Sequence, residues 1–232
     1  MSLSAPEPTS EPTGQAHPGW VVVVPVKGGP LAKSRLRAPD GVDHARLATA
    51  LALDTVAAAV AALGPARVVV VTSDPGIAAA VVSLGALAQA DPGDGLDAAV
   101  LAGGARAAAL PQAEPARVAA LLGDLPCLHA DDLRAALVAC EGDAAAFVPD
   151  ADGVGTVLLT SAAGHRLRPR FGGGSAHAHE GQGARRLDLD LPRLRRDVDD
   201  EDSLRAALCL GVGTHTATLL AHLVVPGPAP SA

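Results

Sequence analysis

Residues 20–29 read WVVVVPVKGG, an apolar run that passes without alternation into a lysine and two glycines. A run that is apolar at consecutive positions is typical of a strand buried on both faces. Residues 44–63 follow it and are rich in Ala and Leu over a helical length. The order predicts a buried strand and then a helix, which is the repeating unit of a parallel sheet.

Outward from this unit, strand and helix patterns keep alternating along the chain. Further strands are predicted at residues 67–72, 86–89, 117–122, 144–148 and 156–160, and helices at residues 75–83, 95–110 and 131–140. Residues 161–190 are rich in turn residues and hold five Arg, so we expect an insertion or β-arm over the sheet. A last strand is predicted at residues 193–198 and a last helix at residues 200–210. The fold class is therefore α/β, with a mostly parallel, doubly wound sheet.

The composition bounds the domain organisation and excludes several classes of protein. The 232 residues are 49% hydrophobic and carry a formal net charge of −7, which fits one soluble domain. We predict this domain at residues 19–224, between flexible tails at residues 1–18 and 225–232. With two Phe, one Trp, no Tyr and no basic block, nucleic-acid binding is not expected. No signal pattern and no apolar stretch of about 18 residues is present, so we expect a cytoplasmic protein without a membrane span.

Soft metal ligands are scarce and widely spaced. Cys127, Cys140 and Cys209 have no paired-ligand spacing, so they are expected to be buried small hydrophobes in a reducing compartment. His177 and His179 alternate on one side of a segment interpreted as extended, but no third His or partner Cys is apparent. A transition-metal site is therefore not expected.

Both lysines of the chain, Lys27 and Lys33, fall in the loop after the first predicted strand. Compact ammonium groups among glycines suit a polyphosphate, because backbone N–H groups can approach the anion closely. The other interpretation is a solvated loop with chance charges. The loop does not match the dinucleotide-binding motif, because the third glycine of that motif is absent. It does not match the P-loop motif either, because Ala32 precedes Lys33 where that motif has glycine. Any phosphate loop at this point is of another type.

Carboxylates follow two of the predicted strands. Asp124 lies in the sequence GDLP at residues 123–126, and Asp197 and Asp199 lie at the carboxyl end of the strand predicted at residues 193–198. In an open α/β sheet, ligands bind beyond the carboxyl ends of the strands. Carboxylates from two strand ends can share a Mg²⁺ ion that also holds phosphate oxygens. Helix capping is the alternative role, and it is favoured for Asp199.

Three glycine-containing loops are further candidates. Gly93 and Gly95 lie in a turn that enters the third helix and can place backbone amides against a base or phosphate. Thr156 follows Gly155, and Gly172 and Ser175 belong to the stretch FGGGS, so small residues occur beside hydroxyls. Hydroxyls donate to anionic oxygens, and small residues allow close approach of the backbone. Each loop is also compatible with a plain connection.

Taken in this order, the motifs resemble the 2-phospho-L-lactate / phosphoenolpyruvate guanylyltransferase family of coenzyme F-420 biosynthesis. The resemblance runs from about residue 21 to residue 222. It is carried by Lys27, residues 32–36 (AKSRL), residues 123–126, Gly155 with Thr156, residues 170–172 with Ser175, and residues 197–199. It implies a single Rossmann-like, three-layer nucleotidyltransferase domain, similar to the molybdenum-cofactor guanylyltransferases.

The resemblance also implies roles for the candidate residues. The phosphorylated three-carbon acid is held by Thr156, Gly172 and Ser175. Mg²⁺ is held by Asp124 and Asp197, which act catalytically together with Lys33. The GTP phosphates face Lys27, Lys33 and Arg35, next to the nucleotide-binding turn of Gly93 and Gly95.

One departure concerns Asp97, because relatives usually have Asn at this position. A carboxylate accepts but cannot donate a hydrogen bond, so a contact of this side chain with base or ribose is in doubt. The expected reaction is attack of the acceptor phosphate on the α-phosphorus of GTP with release of pyrophosphate. Phosphoenolpyruvate and 2-phospho-L-lactate remain alternative acceptors, with the first expected from the Ala- and Arg-rich composition of a high-GC bacterium by family analogy.

Other functions remain open from the sequence alone. The same fold can serve a nucleotidyltransferase with another acceptor, such as a sugar phosphate or molybdenum cofactor, or a non-catalytic nucleotide-binding module. The presence of two candidate metal carboxylates disfavours the module. The expected assembly is a monomer or a homodimer.

Overall fold

The valine run at residues 21–24 lies inside a seven-stranded sheet in a computed structural model of the chain, which describes residues 19–27, 36–111 and 116–221. These four valines have no exposed surface. Val22 and Val24 pack into the core on one face of the sheet, whereas Val21 and Val23 pack into a second core on the other face. Apolar residues at consecutive positions are therefore needed because helices cover both faces.

The strands in chain order are β1 (Trp20–Pro25), β2 (Val68–Thr72), β3 (Leu87–Ala90), β4 (Arg117–Leu121), β5 (Ala145–Pro149), β6 (Thr156–Ser161) and β7 (Arg185–Arg186). Their order in the sheet is β3-β2-β1-β4-β6-β5-β7. In the described part of the chain only β6 runs against its neighbours, β4 and β5. The chain moves outward from β1 through β2 to β3 and then returns to place β4 on the other side of β1. The gap between β1 and β4 is therefore the topological switch point, where such sheets bind ligands.

The helices are α1 (His44–Leu63), α2 (Pro75–Ser83), α3 (Leu96–Ala108), α4 (Ala130–Ala139), α5 (Ser175–Gly181), α6 (Pro192–Arg195), α7 (Glu201–Leu210) and α8 (Thr214–Leu220). α1 lies between the sheet and a third apolar cluster that includes residues of α7 and α8. By length and composition α1 resembles a membrane span, yet 56% of its most apolar 18-residue window is buried inside the fold. It is the core helix of this domain.

The expected α/β fold with a mostly parallel sheet is confirmed, and most predicted elements agree within a few residues. The strand predicted at residues 193–198 is wrong. Pro192 opens the short helix α6, which ends at Arg195, and the chain continues without regular structure to the buried Val198. The buried Leu194 and Val198 also fit strand alternation, so local pattern alone does not separate the possibilities.

The segment at residues 161–190 contains no extended β-arm in the described chain. It holds the helix α5 and the two-residue strand β7, which pairs in parallel with β5 at the sheet edge. The expectation that all three cysteines are buried is also wrong, since Cys209 is exposed. Cys127 and Cys140 are buried, and burial raises the pKa of each thiol to about 11.

The helix α8 carries no strong sequence signal and is fixed by a tertiary contact. Asp54, buried in α1, accepts hydrogen bonds from the backbone N–H groups of His215 (2.8 Å) and Thr216 (2.9 Å). Gly213 approaches this carboxylate so closely that a Cβ there would lie 2.5 Å from Asp54 Oδ1. The contact docks the C-terminal part of the described chain onto α1.

Two adjacent glycines in α3 have opposite packing. A Cβ on Gly103 would collide with the Val23 side chain and lie 2.8 Å from Val71 Cγ2, so this helix rests directly on the sheet. A Cβ on Gly104 would meet only Leu167 Cδ1, at an ordinary 3.9 Å. Close packing of α3 requires the first glycine but not the second.

We therefore expect Gly103→Ala to lower the free energy of unfolding by about 1–3 kcal/mol, because the added methyl overpacks the core. Gly104→Ala is the matched control. It should raise the free energy of unfolding by about 0.5–1 kcal/mol, because alanine lowers the conformational entropy of the unfolded chain. Urea denaturation followed by circular dichroism measures both. Equal effects of the two substitutions would contradict the packing of α3 described above.

Candidate active site

A cleft of about 450 Å³ opens at the switch point between β1 and β4. Its walls come from the ends of β1 and β4, from the first turn of α3 and from α1. Four sequence-predicted site residues line it together: Lys27, Gly93, Gly95 and Asp124. Ser73 and Asp91, which sequence reasoning did not select, line it as well. Lys33 and Arg35 lie outside the described residues.

The turn before α3 is held against the end of β2. The N–H of Asp91 donates to the Thr72 carbonyl (3.2 Å), and the Asp91 side chain accepts from the N–H of Gly93 (2.9 Å). Gly93 and Gly95 have φ values of 90° and 93°, which only glycine adopts without strain. Gly95 is the N-cap of α3 and brings no capping side chain. The first amides of α3 are thus available at the cleft for an anionic group.

The loop that carries Asp124 is held on several sides. A Cβ on Gly123 would lie 2.8 Å from the Pro25 carbonyl oxygen, so only glycine fits between β1 and β4 here. The N–H of Leu125 donates to Thr55 Oγ1 (2.9 Å), a buried hydroxyl on α1. These contacts place the Asp124 side chain at the cleft.

Asp197 lies beside Asp124 although the strand predicted to carry it does not exist. The N–H of Val198 donates to the Asp124 carbonyl (3.1 Å), which joins the segment after α6 to the end of β4. Burial, and to a smaller extent the charges of Asp124 and Asp199, raise the pKa of Asp197 to about 7. The two carboxylates are therefore close enough for their charges to interact, although Asp197 is not among the residues that line the cleft.

These carboxylates fit a hard divalent cation with an incomplete protein shell. Within residues 19–27, 36–111 and 116–221, no cluster of three or more His, Cys, Asp or Glu side chains has the arrangement of a metal site. Mg²⁺ characteristically takes one or two carboxylates and completes its shell with water and substrate phosphates. A cation between Asp124 and Asp197 would also relieve the repulsion that, after burial, contributes to the raised pKa of Asp197.

Thr156, Gly172 and Ser175 form a second group outside the lining of this cleft. Thr156 begins β6 and Ser175 begins α5, and both side chains are buried. The N–H of Ser175 donates to the Gly172 carbonyl (3.1 Å), and the N–H of Ala176 donates to the Val154 carbonyl (3.0 Å). The loop before α5 and the turn before β6 are therefore adjacent.

The turn between β5 and β6 is fixed by charged side chains acting on the backbone. The Asp150 carboxylate accepts from the N–H groups of Val154 (2.9 Å) and Gly155 (2.7 Å). Arg195 donates to the Asp150 carbonyl (2.8 Å), and Arg186 donates to the Gly153 carbonyl (3.1 Å). The charge of Asp150 also contributes to the raised pKa of Asp197. This turn is therefore near enough to Asp197 for the Asp150 charge to act on it, and it leads directly into Thr156.

Asp97 connects the two groups of residues. Its Oδ1 accepts a hydrogen bond from the N–H of Phe171 (2.9 Å), in the loop that leads to Gly172. A carboxylate at this position needs only to accept, so the departure from Asn is compatible with this contact. The first turn of α3 thereby holds the loop before α5.

His179 holds the same loop from the other side. Its Nε2 lies 2.9 Å from the backbone nitrogen of Arg170, and its Nδ1 lies 2.9 Å from Thr156 Oγ1. Burial lowers the pKa of His179, and the charge of Asp97 opposes this shift. Because both ring nitrogens are engaged and His177 is exposed on α5, the two histidines do not form a metal site.

Sequence reasoning missed Thr55, Asp97 and His179 as structural supports of the site. Each acts on a backbone or side-chain group that is distant in sequence, so no local motif marks it. One usable signal was the i, i+4 spacing of Ser175 and His179, which places both on one face of a helix. That signal was lost because the segment was interpreted as extended.

Comparison with known proteins gives consistent matches. Residues 44–194 match the MobA-like NTP transferase domain. A phosphoenolpyruvate guanylyltransferase of Geodermatophilus obscurus is 51% identical over 214 residues, covering 89% of this chain and 96% of the relative. A protein of the same name from Streptomyces scabiei is 47% identical over 217 residues, covering 90% of this chain and 99% of the relative.

Solved structures agree on the fold. A nucleotidyl transferase from Methanothermobacter thermautotroptrophicus superposes with a TM-score of 0.55 at 18% identity, covering 83% of this chain and 98% of that chain. A 4-diphosphocytidyl-2C-methyl-D-erythritol synthase from Anaerococcus prevotii superposes with a TM-score of 0.50 at 12% identity, covering 82% and 95%. At these identities the likeness concerns the fold alone.

The lowered pKa of His179 predicts an acid-dependent stability. The unfolded chain takes up a proton on this ring below about pH 6.5 and the folded chain resists it, so the free energy of unfolding falls as the pH decreases. We expect the free energy of unfolding of His179→Gln to be about 1–3 kcal/mol below that of the wild type at pH 8. This gap in free energy should narrow towards pH 5. Urea denaturation across this range measures the gap. The control His177→Gln, on the exposed face of α5, should show no such change, and a constant gap for His179→Gln would refute the prediction.

Proposed function

This chain belongs to the phosphoenolpyruvate guanylyltransferase family, and from this premise we propose that it transfers GMP from GTP to the phosphate of phosphoenolpyruvate and releases pyrophosphate. The product belongs to coenzyme F-420 biosynthesis. The observation that carries the proposal is the meeting of Lys27, the amides of α3 and Asp124 in one cleft, with Asp197 next to Val198, whose N–H donates to the Asp124 carbonyl. This arrangement serves a polyanionic substrate at a switch point.

GTP occupies the cleft in this proposal. Lys27 faces the phosphates, and Lys33 and Arg35 of the same loop contribute further positive charge. The described ends of that loop support this placement, since Lys27 lines the cleft and Leu36 packs in the same apolar cluster as Val198. The turn of Gly93 and Gly95 offers backbone N–H groups to the nucleotide.

Asp124 and Asp197 would hold Mg²⁺, in line with the general use of a divalent metal ion by nucleotidyltransferases. The ion would neutralise phosphate oxygens and polarise the α-phosphorus as a Lewis acid. Thr55 and the backbone of Val198 keep the two aspartates in place, so little reorganisation is needed when substrate binds.

Thr156, Gly172 and Ser175 bind the phosphorylated three-carbon acid. Hydroxyl and backbone N–H groups donate to its carboxylate and phosphate oxygens. The named relatives support phosphoenolpyruvate over 2-phospho-L-lactate as the acceptor. The turn of Asp150 sets the distance between this acid and the carboxylate pair.

The reaction joins two anions, so the residues act by position and charge. An oxygen of the acceptor phosphate forms a bond to the α-phosphorus of GTP while the bond from that phosphorus to the bridging oxygen breaks. Pyrophosphate leaves with the electron pair, and Lys27 and Lys33 stabilise its charge. No covalent intermediate on the protein is required.

The remaining expectations follow from the same proposal. An enzyme of coenzyme biosynthesis with a soluble nucleotidyltransferase fold acts in the cytoplasm on small molecules. Nucleic acid is not a partner, and the working unit is a monomer or a homodimer formed by the domain at residues 19–224.

Asp124→Asn keeps the size of the side chain and removes its charge. We expect kcat to fall by a factor of about 100 or more, as when one electrostatic contact to the transition state is lost. Pyrophosphate release with GTP, Mg²⁺ and phosphoenolpyruvate measures it, and a product mass for a panel of nucleotides and phospho-acids tests the alternative acceptors.

Asp202→Asn is the matched control, since this exposed carboxylate on α7 pairs only with the surface Arg205 (2.6 Å) among the described ion pairs. It should leave kcat unchanged. Full turnover of the Asp124→Asn enzyme would remove this aspartate from the reaction.

Lys33→Ala should weaken the binding of a nonhydrolysable GTP analogue by about tenfold, because one cation facing the phosphates is lost. Isothermal titration calorimetry measures the affinity. Arg205→Ala, which removes a cation paired with Glu201 on the surface of α7, serves as the control. An unchanged affinity of Lys33→Ala would place the loop outside the nucleotide site.

A further inference from the structure

The buried ring of His179 is hydrogen-bonded at both nitrogens, and the two partners have different chemistry. Nε2 lies 2.9 Å from the backbone nitrogen of Arg170, which carries a hydrogen and can only donate. Nδ1 lies 2.9 Å from the hydroxyl oxygen of Thr156, which can donate or accept. Only 1% of the His179 surface is exposed, so water does not compete for either nitrogen.

The contact with Arg170 decides the tautomer. Since a backbone N–H donates to Nε2, that nitrogen has a free lone pair and carries no hydrogen. A neutral imidazole then carries its hydrogen on Nδ1. The Nδ1–H group therefore donates to Thr156 Oγ1, and the threonine hydroxyl is the acceptor in this pair.

The hydroxyl of Thr156 is thereby left with its own hydrogen directed away from His179. We propose that His179 is a positioning residue that turns the Thr156 hydroxyl into a hydrogen-bond donor for an anionic oxygen of the acceptor acid. The proposal rests on the acceptor site proposed above and adds a residue that no motif marks. A hydroxyl that already accepts a hydrogen bond is also the stronger donor, because hydrogen bonds in a chain polarise one another.

The same ring also holds the second part of the acceptor site. His179 accepts from the N–H of Arg170 while Asp97 accepts from the N–H of Phe171, so two consecutive amides before Gly172 are fixed by side chains. The Phe171 ring packs edge-on against the imidazole with a centroid distance of 5.3 Å. One neutral side chain thus sets the position of Gly172 relative to Thr156.

The decisive experiment is a double-mutant cycle between Thr156→Val and His179→Gln. Valine keeps the shape of threonine without the hydroxyl, and the glutamine carbonyl can still accept from Arg170 but offers no donor at the Nδ1 position. Steady-state kinetics yields KM for phosphoenolpyruvate and for GTP. We expect each single variant to raise KM for phosphoenolpyruvate by at least tenfold and KM for GTP by less than twofold.

The double variant separates positioning from general damage. If His179 acts through the Thr156 hydroxyl, His179→Gln adds less than a twofold increase once the hydroxyl is gone. Thr160→Val is the control, because Thr160 lies on the same strand, is buried and bonds the Ala146 carbonyl (3.1 Å) instead. It should leave both KM values unchanged.

A measurement on the wild-type protein does not depend on the variants. The ¹⁵N NMR shifts of the His179 ring at neutral pH should report hydrogen on Nδ1 and none on Nε2. A ring with hydrogen on Nε2 overturns the proposal directly.

The outcomes of the cycle distinguish this inference from the site on which it rests. An unchanged KM for phosphoenolpyruvate in Thr156→Val would refute the acceptor site and the inference together. A raised KM in Thr156→Val, combined with a His179→Gln effect that is equal in both backgrounds, would refute the role of His179 and leave the acceptor site standing. Loss of the His179→Gln effect in the Thr156→Val background supports the inference.

Discussion

The hydrogen bond from the N–H of Val198 to the Asp124 carbonyl is the contact on which the site depends (3.1 Å). It joins a segment near the end of the chain to the carboxyl end of β4 and so sets two carboxylates side by side. Burial, together with repulsion from Asp124, raises the pKa of Asp197 to about 7. Such repulsion costs stability in the absence of a cation, so the surrounding backbone must hold the pair. Thr55 supplies part of that support by binding the N–H of Leu125.

Away from this carboxylate pair, side chains that bond backbone N–H groups hold the loop before Gly172. His179 links Thr156 to the backbone of Arg170, and Asp97 links the first turn of α3 to Phe171. The bonds of His179 join neutral groups and depend on direction, so this residue sets positions without adding charge. The Asp97 carboxylate therefore connects the first turn of α3 to the loop before Gly172. The residues that line the cleft are thus joined by hydrogen bonds to the group of Thr156, Gly172 and Ser175, which lies outside that lining.

The sequence was informative wherever burial on both faces dictates consecutive apolar residues. β1, β2 and β4 and the long helix α1 follow from such runs, and the switch point follows from their order. The helix α6 did not follow, because the buried Leu194 and Val198 also fit the alternation of a strand, although Val198 lies beyond the end of the helix. Asp97 and His179 could not be assigned from local pattern, since their partners lie on other elements. Lys33 and Arg35 lie outside the described residues, so their role stays a prediction.

The two proposed parts of the site use different hydrogen-bond donors, and this difference affects which phosphorylated acid is accepted. The proposed nucleotide side uses lysines, whose flexible point charges accept polyphosphates in many orientations. The proposed acceptor side uses a hydroxyl and backbone amides, whose hydrogens have fixed directions. A site built from such donors discriminates more strongly than a site built from charged side chains against an analogue that lacks the matching oxygen. The reason is that the unmatched donor is left buried and unpaired. By fixing the direction of the Thr156 hydrogen, His179 makes acceptor choice depend on the placement of oxygens rather than on net charge.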